Sequence, residues 1–109
     1  MHDLTELPFK LTNGQKKALR SMAHHIQPVV YAGKEGLSPS MVQSLKAALK
    51  AHELIKVKIG QNCPLDREMA AQELVKITGA ALVQIIGRMI VLYQANPDLP
   101  ATKQISLPQ

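Results

Sequence analysis

The residues best placed for chemistry are a four-residue run, Gly33-Lys34-Glu35-Gly36. It follows the apolar stretch Val29-Val30-Tyr31-Ala32 and precedes a helix-start signal at Ser38-Pro39. Glycine lets backbone approach a ligand closely and adopt positive φ. A helix beginning just beyond offers unpaired amides and the positive end of its dipole to an anion. Lys34 adds a charge at the tip. The run predicts a cradle for the phosphates of a polyanion. It is neither GxxxxGK[ST] nor a dinucleotide fingerprint, so nucleotide hydrolysis and dinucleotide chemistry are not expected.

Other reactive residue types form no constellation. Cys63 is the single cysteine, so it makes no intrachain disulfide and no thiolate cluster. Lying beside Pro64 with no evident base, it reads as a loop residue in a reducing, cytoplasmic setting. His24 and His25 are adjacent and diverge from a helix, with no HExxH around them. Asp66 and Glu68 read as helix-start charges and His52-Glu53 as a cap and turn. No catalytic residue, metal or cofactor is expected, and a small hydrolase lacks the paired titratable groups it needs.

The charge is uneven. The chain is +5 overall. From position 10 to 58 it carries nine basic residues against Glu35 and Glu53, net +7, leaving the remainder at −2. That asymmetry points to one cationic face and a polyanionic partner. Lys16, Lys17 and Arg20 share a helical face, and Lys56 and Lys58 share a strand face. Aromatics are limited to Phe9, Tyr31 and Tyr93. Base stacking of the kind RRM sheets perform is therefore not expected, and binding should lean on phosphate and shape.

The elements that position these residues follow from local signals. At 109 residues the chain has room for one domain, with 46% hydrophobic residues for an aliphatic core. No apolar run approaches the roughly 18 residues that span a bilayer. Residues 1–10 lack an apolar signal core and read as an N-terminal extension of a protein that stays where it is made. Thr12 and Gln15 fit a capping box for a first helix to about His24, with Ala18, Leu19, Met22 and Ala23 on its apolar side. Pro28 stops it. Val29 to Ala32 is a strand, and Ser38-Pro39 opens a helix to about His52 that buries Met41, Val42, Leu45, Ala48 and Leu49. Leu54 to Ile59 alternates as a strand, and Asp66 caps a helix to about Thr78 with Met69, Ala70, Leu74 and Ile77 inward. Gly79 ends that helix, and Ala81–Ile86 and Met89–Gln94 make a hairpin turning at Gly87-Arg88. Residues 95–109 contain Pro97, Pro100 and Pro108 and read as an extended tail.

The order α-β-α-β-α-β-β predicts a compact α/β domain with a four-stranded mixed sheet, mainly parallel, the closing hairpin adding one antiparallel strand.

Three segments together carry a family resemblance: PVVYAGKEGLSPSMVQSLKAALKAHELIKVKI, then VQIIGRMIVLY, then KQISLP. They resemble the CRM domain, named for chloroplast RNA splicing and ribosome maturation, and more narrowly its free-standing bacterial YhbY type. The resemblance covers residues 11–94. It implies a fold like the C-terminal domain of bacterial translation initiation factor three. It also implies RNA binding through the glycine loop, and association with ribosomal RNA in large-subunit precursors. Carried onto this chain, the loop is Gly33, Lys34, Glu35 and Gly36, and Gly87 is the hairpin glycine. Two positions depart from the pattern: Glu35 inside the loop, and Gln94 where Arg often follows the final LY. With Arg88 at the hairpin and the basic faces, these residues form the expected RNA site of a non-enzymatic ribosome assembly factor. The alternative is a protein-interaction adaptor docking through the apolar hairpin or the C-terminal tail.

Overall fold

The computed structural model describes residues 11–108. The extension expected over residues 1–10 lies outside the described residues. Three helices, α1 (Asn13–Ala23), α2 (Pro39–His52) and α3 (Arg67–Thr78), alternate with strands β1 (Pro28–Ala32), β2 (Leu54–Ile59), β3 (Ala81–Ile86) and β4 (Met89–Tyr93). Each helix begins where a side chain replaces a missing backbone acceptor. Thr12 and Gln15 close a reciprocal capping box, and Ser38 and Asp66 accept the amides of Met41 and Met69. Gly79 ends α3 in the left-handed conformation at φ 74°.

The four strands form one mixed sheet in the order β1-β2-β4-β3. β1 and β2 pair in parallel, whereas β4 runs antiparallel to both its neighbours. Three strands therefore point one way and one opposes them, as expected. The hairpin's second strand does not add at an edge, however; it inserts between β2 and β3, so two of the three ladders are antiparallel. Ile90, Val91 and Leu92 are fully buried from both faces. A strand so apolar loses most exposed surface by taking the centre.

One sheet face carries α2 and α3 over Val30, Ala32, Ile55, Val57, Ile59, Ile90 and Leu92. The set expected inward on α2 packs there as read, but α3 is rotated. Ala70, Ala71 and Leu74 are buried, while Met69 and Ile77 are 53% and 38% exposed. Paired alanines let the helix lie close to the sheet, which leaves the longer side chains at its flanks.

The opposite face carries α1, whose Leu19 and Ala23 meet Leu54, Val83, Val91 and Tyr93. The tail completes this second core. It is not wholly extended, since Ala101–Lys103 forms a 3-10 turn, and Ile105 and Leu107 pack beside Leu11, Met22 and Ile26. Glu53 holds it there. Only 2% exposed, its carboxylate accepts the Asn96 and Ile105 amides, each at 2.6 Å. Its own φ is 64°, a conformation costing about 1–3 kcal/mol that these charge-assisted bonds offset. Gln94 donates its side-chain amide to the Thr78 carbonyl at 2.9 Å, capping the end of α3.

Candidate nucleic-acid interface

Strand direction brings three loops to one end of the sheet. β1 and β2 run in parallel, so Gly33–Gly36 and the loop 60–64 leave the same edge. β4 pairs antiparallel to β2 with Met89 opposite Lys58, which puts the Gly87-Arg88 turn there too. Backbone bonds lace the three together: the Gly60 amide donates to Ala32 and the Ile59 amide to Arg88, both at 2.8 Å. The Arg67 guanidinium reaches the Gly87 carbonyl at 2.8 Å, tying α3 to the same corner.

The glycine loop is a tight turn closed by the Gly36 amide on the Gly33 carbonyl at 2.9 Å. Gly36 has φ 65°, which L side chains resist, and a Cβ there would meet the Pro64 ring. Lys34 and Glu35 are both exposed. Among the described residues their amides donate to no acceptor. The helix beyond contributes less than the sequence implied. Pro39 has no N–H, and the Ser38 hydroxyl already takes the Met41 amide at 3.3 Å. Anion capture here falls to the loop's own amides and to neighbouring cations.

Two of those cations converge. Lys58 and Arg88 are exposed and line one open cleft with Tyr31, Ile59, Gly60, Gln61 and Asn62. Its volume is about 390 Å³, within the range of small-ligand sites. Neither has an acidic partner among the described residues, where the only ion pairs are Arg67–Glu68 and Lys76–Glu73.

Lys56 departs from expectation. It lies on the same sheet face as Lys58, but it is half-buried and its ammonium donates to the Ile26 carbonyl at 3.0 Å. It fastens the α1–β1 connection rather than standing free. Lys16, Lys17 and Arg20 lie on α1, on that same side of the sheet. Their helix covers the far half of the strands, against Leu54 and Tyr93. Leu54 is four residues from Lys58, about 13 Å along the strand. The two basic groups thus share a side of the molecule but do not form one cluster.

Sequence reasoning missed Tyr31, Gln61 and Asn62 as cleft residues, and Glu53 as the tail's anchor. Alternation within β1 did put Tyr31 opposite the buried Val30 and Ala32, so its exposure was readable. The anchoring by Glu53 joins residues more than 40 apart and left no local sign. Burial, and secondarily the Glu53 carboxylate, push the Tyr93 phenol above its ordinary value of 10.0. Among the described residues, no helix is long and apolar enough to cross a membrane. Nor does any group of three or more His, Cys, Asp and Glu there stand close enough to hold a metal.

Residues 11–94 match the CRS1 / YhbY (CRM) domain model. The chain is 46% identical over 98 residues to "Probable RNA-binding protein YqeI" of Bacillus subtilis, covering 90% of this chain and 99% of that protein. It is 38% identical to an "RNA-binding protein" of Haemophilus influenzae, covering 81% and 89%. It also resembles the solution structure of a hypothetical Staphylococcus aureus protein described as "a putative RNA binding protein". That likeness has a TM-score of 0.74 at 39% identity and covers 91% of this chain and all of the other.

Proposed function

The chain belongs to the CRS1 / YhbY (CRM) domain family, and from that premise we propose that it binds structured RNA, without catalysing a reaction, as a cytoplasmic assembly factor of the large ribosomal subunit. The observation carrying this reading is the convergence of the Gly33–Gly36 turn with Lys58 and Arg88 at one end of the sheet, the two cations free of acidic partners among the described residues. Loop amides fix one phosphate, Lys34, Lys58 and Arg88 hold its neighbours, and Lys16, Lys17 and Arg20 follow the backbone further along. Glu35 points the other way electrostatically; its exposure lets it turn to solvent while the amides engage. The relatives' names as RNA-binding proteins support the partner class.

The adaptor reading finds less support. Ile90, Val91 and Leu92 of the hairpin are buried, and the tail is occupied in closing the second core.

A filter-binding titration tests the mechanism. A footprint of about five phosphates makes log affinity fall with log salt at a slope of about −4. A slope near zero removes backbone clamping. Lys34→Asp, which introduces a carboxylate at an exposed loop position without positive φ, should cost at least about tenfold in RNA affinity while the protein stays folded. Sedimentation with large-subunit precursors, lost on nuclease treatment, tests the assembly role.

A further inference from the structure

We propose that Tyr31 is the floor of a nucleotide subsite, on which one unpaired base of a single-stranded RNA segment stacks beside the phosphate-binding loop. The inference rests on the RNA reading above and adds to it the kind of RNA recognised.

Tyr31 is 59% exposed, in a chain with only three aromatic residues. The other described tyrosine, Tyr93, is buried in the second core. Tyr31 also has a seat. A Cβ placed on Gly33 would come within 3.1 Å of the ring at Cε2, and one on Gly60 would overlap the phenol end outright. Two glycines, one at each parallel strand's exit, therefore leave room for the ring to lie against the backbone. A ring so held loses little freedom when a ligand arrives, and pre-organised aromatic surface binds at low entropic cost.

The surroundings suit a nucleotide rather than an apolar ligand. Tyr31 pairs across the ladder with Lys58, and Arg88 lines the same cleft. Those two cations can hold the phosphates on either side of a stacked base. Gln61 and Asn62, exposed on the cleft's loop wall, offer both donors and acceptors to a base edge. Bases within a duplex are stacked on one another and cannot reach such a floor, so the subsite selects single strands, bulges or loops.

The test compares a short single-stranded RNA carrying one 2-aminopurine with the same RNA annealed into a duplex, using the full chain. Tyr31→Ala should weaken single-strand binding about tenfold, the loss expected for one base–aromatic stack. Tyr31→Phe should stay within about twofold of wild type. Duplex affinity and the salt slope should be the same for all three, because phosphate contacts are untouched. Quenching of 2-aminopurine should appear with wild type and Phe and vanish with Ala. Tyr31→Leu, which keeps bulk in the strand, should behave as Ala, and Gly60→Ala, which lifts the ring from its seat, should lie between. Undiminished single-strand binding by the Ala and Leu variants overturns the subsite, as does an equal loss on duplex. A wild-type protein that binds neither RNA in a salt-dependent way instead overturns the RNA reading itself.

Discussion

The two ends of the sheet use polar groups in opposite ways. At the end holding the Tyr93–Leu54 pair, polar groups are committed: Glu53 accepts two tail amides, Gln94 caps α3 and Asn96 donates to the Lys50 carbonyl. At the Lys58–Met89 end, two loop amides and two cations have no protein partner among the described residues. Buried polar atoms are paired because leaving them unpaired costs stability. Exposed unpaired donors cost almost nothing in water, and they remain available to a ligand. One end holds the fold closed and the other keeps its donors unpaired at the surface.

That division can be broken from either side. The largest effect is expected at the closed end. Glu53→Ala leaves two tail amides without their acceptor and should destabilise the protein by about 3 kcal/mol in urea denaturation. RNA affinity measured well below the new melting temperature should be unchanged; if it falls in step with stability, the two ends are not independent. The converse experiment reverses both cations, Lys58→Glu with Arg88→Glu. RNA affinity should drop about a hundredfold, since hydrogen bonds to charged groups contribute about 1.5–3 kcal/mol each, while denaturation midpoints barely move, as at most exposed sites.

Alkaline pH probes the closed end alone. The Tyr93 phenol titrates above its unfolded value of 10.0 in the folded protein. Its contribution to stability is thus fully present below pH 10 and is lost as pH rises through the folded value. The slope can reach about 1.4 kcal/mol per pH unit. Thermal melts between pH 9 and 11 should show wild type losing stability faster than Tyr93→Phe; coincident curves would remove the effect. The smallest contrast sharpens the boundary between the ends. Lys56→Met should cost less than about 1 kcal/mol, the size of one ordinary hydrogen bond, and change RNA affinity under about twofold. Lys58→Met should weaken binding several-fold. Equal losses would return Lys56 to the binding surface.

What the sequence revealed divides along the range of the interactions. Helix starts at Thr12, Ser38 and Asp66 were legible because capping operates within three residues. The glycine loop was legible for the same reason. The face of α3 was not, since Met69-Ala70-Ala71 offers two overlapping apolar stripes and only the sheet chooses between them. Strand order was not legible either: alternation sets which face a residue takes, not which neighbour its strand finds. Alternation correctly put Lys56 and Lys58 on one face, but the carbonyl of Ile26 that separates their roles arrives from 30 residues away. A count of aromatics carries no position, and only the fold shows that Tyr31 is the one standing in the cleft.

The bond from the Gln15 side chain to the Pro108 carbonyl, at 2.9 Å, joins residues 93 apart, and it has a consequence for synthesis. The stretch from β1 to β4 can assemble as soon as residue 93 is free of the ribosome. The first helix can then dock Leu19 and Ala23 on the sheet, but its flank at Met22 and Ile26 stays open until Ile105 and Leu107 emerge to shield it. The cleft of Tyr31, Lys58 and Arg88 can thus form on the nascent chain before the protein's second layer is sealed, and a nascent chain stalled before position 105 would carry that cleft with an open seam behind it.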